Sequence, residues 1–366
     1  MRAVIKTGPG PGCDLVTDRV EPDLRPGEVR IQVAAASVCG TDASLFASGD
    51  AGSGMGMRFP LTLGHEVGGT VVEIGPLTGG LTIGTRVAVE THLHCGECFF
   101  CRHGDAHNCA RLELLGITVD GAFAERLVVP ARNCFLLPDG LATHTAALLE
   151  PGGSAMHAVL RSGIDLAGAA VLVLGAGPVG LVAAQVALAV GAREVTVVEP
   201  NSHRRRAAEA LGATTVDAGD DPLQVAGAAT RSRGGYDLSL ECSGALPAMR
   251  AAVVNVRREG TVVAVGLVKG RLELDVTDTL ITRGLTLRGS WGRSIWGTWD
   301  RLAELVDSGR VDLDTLITHR LPLSGLPTAL DLMASGAGKV LLVPALPDEA
   351  LPASEPSAPM GPDEDG

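Results

Sequence analysis

Through residues 1–150, apolar and polar positions alternate over short stretches: Val29–Val33, Gly69–Ile74, Arg86–Val89 and Arg126–Val129. A period of two predicts half-buried antiparallel strands. Pro26-Gly27, Gly75-Pro76 and Pro138-Asp139-Gly140 supply the turns between them. After residue 151 the pattern changes. Ala170–Leu174 is wholly apolar, and the apolar run from Pro178 to Val190 reads as a helix. Strand Glu194–Val198, helix Ser202–Leu211, strand Tyr236–Leu240, helix Leu246–Val256 and strand Gly260–Val265 follow. Apolar strands alternating with helices predict an α/β fold with a doubly wound parallel sheet. A helix at Trp299–Asp307 and short strands close the chain before a tail, and no internal repeat is visible.

Composition sharpens this division. A chain of 366 residues accommodates two domains. The expected organisation is a β-rich part at 1–150, a parallel-sheet unit at 151–297, a return segment at 298–344 and a tail at 345–366. Aromatic residues are only 3% and glycines number 48, so the core is built from Val, Leu, Ile and Ala. The net charge of −12 argues against nucleic acid or another polyanion as partner. Six acidic residues, with no Lys or Arg, lie in the Pro-, Ala- and Ser-rich stretch 345–366, which reads as disordered. No apolar run is long enough for a membrane span, and the start carries no secretory signal, so a cytoplasmic protein is expected.

Gly175-Ala176-Gly177-Pro178-Val179-Gly180 follows the apolar strand and opens a helix. The first glycine permits the tight turn, the second admits a pyrophosphate to the backbone, and the third lets helix and strand pack closely. Glu199 stands 24 residues beyond Gly175, at the end of the next strand. Its carboxylate suits a ribose diol and repels a 2′-phosphate, which favours NAD over NADP. The run Arg204-Arg205-Arg206 pulls the other way, since a guanidinium there can hold a phosphate.

Cys95, Cys98, Cys101 and Cys109 spell C-x2-C-x2-C-x7-C. Four thiolates on so short a loop suit one closed tetrahedral zinc that stabilises a lobe, about residues 92–112, and does no chemistry. An iron–sulfur cluster is the weaker alternative. Outside the lobe, Cys39-Gly40-Thr41-Asp42 and Gly64-His65-Glu66 lie at strand–turn junctions, and Glu150 falls where the β-rich part ends. Cysteine, histidine and carboxylate suit a catalytic zinc with an open position.

In this order, the Cys39 and His65 motifs, the four-cysteine lobe and the glycine loop resemble the zinc-dependent medium-chain dehydrogenase/reductase family over residues 1–345. The resemblance implies a GroES-like catalytic domain, a Rossmann domain and a site between them. It implies two zincs per chain, with Cys39, His65 and either Glu66 or Glu150 on the catalytic one. Within the family, Thr91–Cys95, Gly292-Arg293, Thr298-Trp299 and Ile317–Arg320 are similar to the threonine 3-dehydrogenase branch. That likeness puts His92 on the substrate side and Glu150 in an acidic relay. It puts Glu199, Arg204, Val265, Gly266, Leu267, Ser290 and Trp291 at or beside the cofactor. A homodimer or homotetramer is implied as well, with strand pairing around Leu285–Leu287.

The expected reaction is oxidation of a secondary alcohol by hydride transfer to the nicotinamide. Thr41 is the first hydroxyl of a proton relay. The branch carries a histidine where this chain has Ser44, which continues the relay only through water and opens a second reading: a polyol, sugar or aminocyclitol substrate. A third reading is a catalytically silent, zinc-stabilised nucleotide-binding protein. His92 is a base, a substrate contact or a solvated loop residue, and Asp42 orients its loop. Cys13, Cys134 and Cys242 read as small core residues, His103 and His107 as exposed, and His157 as an ordinary helix residue.

Overall fold

The computed structural model describes residues 1–48, 56–217 and 233–348. The first part of the chain supplies β1 (Ala3–Lys6), β2 (Asp14–Val16), β3 (Glu28–Ser37), helix α1 (Gly40–Ser48), β4 (Leu61–Thr62), β5 (Glu66–Ile74) and β6 (Arg86–Val89). It continues through β7 (His92–Leu93), α2 (Phe99–Arg102), β8 (Glu113–Leu114), β9 (Arg126–Pro130) and β10 (Cys134–Leu136). Alternation in β3 shows in its burial: Val29, Ile31 and Val33 point into an apolar core shared with Val67, Val71, Leu127 and Val129. β3 runs four residues past the alternating stretch, to Ser37, and pairs antiparallel with β5 along its length. This carries the chain directly to Cys39 on one strand and away from His65 on the other.

The second unit is a parallel sheet of six strands in the order β13-β12-β11-β14-β15-β16. They are β11 (Ala170–Leu174), β12 (Glu194–Val198), β13 (Thr214–Val216), β14 (Tyr236–Glu241), β15 (Val256–Ala264) and β16 (Thr286–Gly289). Every side chain of β11 is buried, because the strand is central and helices cover both faces. The helices are α3 (Leu149–Arg161), α4 (Pro178–Ala189), α5 (Ser202–Ala210) and α6 (Leu246–Asn255). β15 starts at Val256 rather than at Gly260, since Val256 already pairs with Tyr236 before a register shift. β16 forms one edge of the sheet.

After α7 (Gly297–Asp307) the chain returns to the first unit. β17 (Ile317–Leu321) and β18 (Lys339–Leu342), parallel to each other and joined through α8 (Leu326–Ala334), extend the sheet of the first unit, with β18 pairing β3 antiparallel through Leu341–Ser37 and Leu342–Ala36. Val340 and Leu342 share the core of Val29 and Ile31. The expected disorder from residue 345 is corrected at its start, because Arg2 reaches both the Pro344 carbonyl and the Asp348 carboxylate. The rest of that tail, 349–366, lies outside the described residues. Among the described residues, no helix is long and apolar enough to cross a membrane.

The glycine loop joins β11 to α4. Gly175 has φ +99°, and a Cβ on Gly180 would stand 1.9 Å from the Gly175 carbonyl oxygen. Backbone cannot yield to such a contact as a side-chain tip can. Gly180→Ala is therefore expected to cost about 1–3 kcal/mol or more and to weaken dinucleotide binding by displacing α4. Urea unfolding and a fluorescence titration with the dinucleotide check both effects.

Candidate active site

Two turns of the first unit bring cysteine, histidine and carboxylate together. Cys39 follows β3 immediately before α1, and His65 and Glu66 stand at the start of β5. One ligand atom from each of Cys39, His65 and Glu66 lies within 4.8 Å of the others. Asp42, fully buried on α1, steadies this group: its Oδ2 accepts from the Cys39 backbone N–H at 2.8 Å, and its Oδ1 lies 3.4 Å from His65 Nδ1. Burial works against a charged His65, but the adjacent Asp42 outweighs it and holds the imidazole pKa well above its ordinary value. The Thr91 hydroxyl donates to the His65 carbonyl at 2.6 Å and fixes the backbone.

Lys339 opens β18, and its Nζ donates to both Glu66 oxygens at 2.7 and 2.6 Å and to the Val38 carbonyl at 3.2 Å. Burial opposes its charge, yet Glu66 and Cys39 beside it raise its pKa. Glu150, in the first turn of α3, is not in the Cys39 group. It pairs with Arg293, whose Nη1 donates to Glu90 Oε2 at 3.0 Å. Glu90 Oε1 in turn lies 2.6 Å from His92 Nδ1. Glu90, Arg293 and Lys339 are each under 4% exposed and were not singled out for a role by the sequence pattern. No local pattern marks them: Glu90 follows the strand Arg86–Val89 and Lys339 opens Lys339–Leu342, and only the fold buries both.

A cavity of about 320 Å³ gathers these groups, Asp42 and Glu90 lying outside its lining. From the first unit and α3 it is lined by Cys39, Thr41, His65, Glu66, His92 and Glu150. From the nucleotide side come Pro178, Val179, Val265, Leu267, Ser290 and Trp291. Ser44 is not among its walls; it is exposed on α1, with its hydroxyl back-bonded to the Gly40 carbonyl at 3.4 Å. Gly266 serves packing, since a Cβ there would meet the Gly244 nitrogen at 2.2 Å. A second cavity, about 410 Å³, is lined by Gly175, Gly177, Glu199, Arg204 and Ser243. Around Gly177 there is open space where a Cβ would stand, the cradle that a close-lying pyrophosphate needs. Glu199 accepts from the Ala176 and Asn201 backbone N–H groups, which aims its carboxylate across the loop. Arg204 reaches the Met333 and Gly336 carbonyls, and Arg205 pairs with Asp217.

The four lobe cysteines meet the geometric demand of a closed metal site. Zinc–sulfur bonds of about 2.3 Å in a tetrahedron require sulfurs about 3.8 Å apart. The Cys95–Cys101 and Cys98–Cys109 pairs stand at 3.8 Å and Cys98–Cys101 at 3.4 Å. Backbone N–H groups at Cys95, Cys98 and Arg111 point at these sulfurs, which favours thiolates. The cysteine, histidine and carboxylate donors of the Cys39 group likewise suit a zinc with an open position.

Family models for the alcohol dehydrogenase GroES-like domain and for zinc-binding dehydrogenases match residues 25–139 and 178–308. The L-threonine 3-dehydrogenase of Pyrococcus horikoshii is 38% identical over 94% of this chain and 98% of its own length. This chain belongs to the zinc-dependent medium-chain alcohol dehydrogenase family. Among solved structures, a zinc-binding dehydrogenase of Sinorhizobium meliloti with NADP bound has a TM-score of 0.83 at 32% identity, covering 94% of this chain and 99% of that one. The 2R,3R-butanediol dehydrogenase of Bacillus subtilis has a TM-score of 0.83 at 27% identity, with coverages of 94% and 99%. The dehydrogenase is thus an oxidoreductase of CH–OH donors on a GroES-like plus Rossmann fold.

One expectation about another residue needs correction. His107 is buried rather than exposed, because the lobe packs it against His157 of α3, their ring centroids 5.4 Å apart. Burial and the positive groups nearby, His107 and Arg161 first, push the His157 pKa down to about 4. Cys242 packs against the core but also lines the nucleotide cavity. His103 is exposed, and Cys13 and Cys134 pack in the first core.

Proposed function

We propose that this dehydrogenase oxidises a secondary alcohol that carries an amino or hydroxyl group beside the carbinol, with NAD as acceptor. The observation that carries this reading is the cavity shared by Cys39, His65 and Glu66 on one wall and Val179, Val265 and Trp291 on the other. Zinc held by Cys39, His65 and Glu66 would supply Lewis-acid polarisation of the alcohol oxygen. The chain's own residues do the rest. Asp42 keeps Cys39 and His65 aligned, and Lys339 balances the charge of Glu66. Thr41 offers a hydroxyl to the alcohol proton, and buried apolar Leu114 and Ile117 exclude water from that wall.

The preference for NAD is supported by Glu199, whose carboxylate would face a 2′-phosphate. Glu199→Ala is expected to raise KM for NAD about tenfold and to narrow the NAD-over-NADP ratio of kcat/KM, consistent with lost charge-assisted hydrogen bonds. Steady-state assays with both cofactors check it, and a wild-type preference for NADP overturns it.

Threonine and related amino alcohols come first as substrates, on the likeness to threonine 3-dehydrogenases. Ser44, standing where the threonine 3-dehydrogenase branch carries a histidine, supports a second reading, a cyclic polyol or aminocyclitol. Purified enzyme tested with NAD against threonine, butanediol, sorbitol and aminocyclitols separates the two. Turnover of a ring polyol with none of threonine displaces the first.

A further inference from the structure

A chain of buried charge, with Arg293 and His92 on the cavity wall and Glu90 between them behind it, ends on one histidine. Arg293, 1% exposed, donates to Glu90 Oε2; Glu90, with no exposed surface, takes His92 through its other oxygen. The His92 backbone N–H also donates to Glu90 Oε1, at 3.0 Å, so ring and main chain are tied to the same atom. Arg293 holds the Glu90 carboxylate ionised, and an ionised carboxylate is acceptor-only. Nδ1 of His92 must therefore carry the proton that lies between them. In a neutral ring this leaves Nε2 as an acceptor.

The other edge of the ring borders the cavity. Nε2 has no hydrogen-bond partner among the described residues, and His92 is part of the cavity wall. Trp291 stands edge-on to the ring, with centroids 6.4 Å apart. Gly292, at φ +57°, keeps the Nε2 edge clear: a Cβ there would lie 2.8 Å from Nε2.

We propose that Glu90, clamped by Arg293, is a positioning residue that presents His92 Nε2 as an obligate hydrogen-bond acceptor. It thereby selects substrates with an N–H or O–H donor on the carbon next to the carbinol. The inference rests on the reading of this cavity as an alcohol-oxidising site and adds the feature that tells a vicinal amino alcohol or diol from a simple alcohol. A substrate lacking the donor leaves Nε2 dry and unpaired, which is the costly arrangement.

The test has two arms on the zinc-loaded, full-length enzyme. Long-range 1H–15N spectra of 15N-histidine protein, at about pH 8 and so above the ordinary histidine range, report the His92 protonation state, with His92→Gln giving the assignment. The expected wild-type result is a protonated Nδ1 and a bare Nε2. A proton on Nε2, in either the other tautomer or the imidazolium, overturns the proposal. In the second arm, kcat/KM is compared for 2,3-butanediol and 2-butanol in wild type and Glu90→Gln. The variant is expected to lose about ten- to a hundredfold on the diol, chiefly through KM, and less than about threefold on the simple alcohol. Equal losses on both, or an unchanged preference, overturn the proposal. If the wild type oxidises no alcohol, the functional reading fails while the spectra still decide the positioning. If Glu90→Gln does not fold, the wild-type spectra decide it alone.

Discussion

Arg293→Ala is expected to destabilise the protein by about 3–5 kcal/mol, the usual effect of stripping one partner from a buried ion pair. The guanidinium bridges Glu90 and Glu150, also reaches Ser154 Oγ at 3.2 Å, and lies 5.6 Å from the centroid of the Trp299 ring. Without it the fully buried Glu90 and the largely buried Glu150 lose the cation they share. Arg293→Lys keeps the charge but not the fork that spans two acids, so an intermediate loss is expected.

The pH dependence gives the sign. Burial raises the Glu90 pKa, but Arg293 and then His92 outweigh it and bring it down to about 2. A depressed folded-state value means a contribution that is complete above the ordinary carboxylate range and is lost as pH falls toward 2. In Arg293→Ala the unpaired acids gain by taking up protons, so the deficit should shrink between about pH 7 and pH 5. Urea unfolding at several pH values measures this. A deficit under about 1 kcal/mol, or one independent of pH, would show that the cluster contributes no more than a surface pair.

Cys39→Ala should abolish turnover, by about a thousandfold or more if Lewis-acid polarisation supplies several kcal/mol of the barrier reduction. Dinucleotide affinity should stay within about twofold, because the glycine loop and Glu199 belong to the other unit. Elemental analysis is expected to fall from about two zincs per chain to about one, the four-cysteine site remaining filled. Retained turnover would remove Cys39 from the chemistry. A wild type that holds a single zinc would instead remove the second metal site from the account.

Much of the fold was legible because its signals are local. The apolar Ala170–Leu174 with its glycine loop, and the cysteine spacing in the lobe, each fit inside a short window. Their structures follow from turn geometry and tetrahedral bonding without help from distant residues. The proximity of Cys39 to His65 was legible only through resemblance, since it depends on β3 and β5 pairing in one register. The charge chain was not legible at all. Arg293 meets Glu90 across 203 positions and Lys339 meets Glu66 across 273, and no local pattern distinguishes a buried arginine from one on a solvated surface. His107 was misjudged for the same reason: only the docking of the lobe on α3 buries it. Ser44 was drawn in by its place in a motif, whereas its position on α1 turns it outward.

The return of β18 to the edge of β3 has a consequence during synthesis. A ribosome that has made the first 300 residues has delivered Cys39, His65 and Glu66, but not the lysine that pairs with Glu66 or the strand that pairs with β3. Until Lys339–Leu342 leaves the exit tunnel, β3 presents an unpaired margin at Ala36–Ser37, open to neighbouring nascent chains. A chain terminated before Lys339 should therefore yield aggregates rather than a smaller working enzyme, which sedimentation of the truncated product checks.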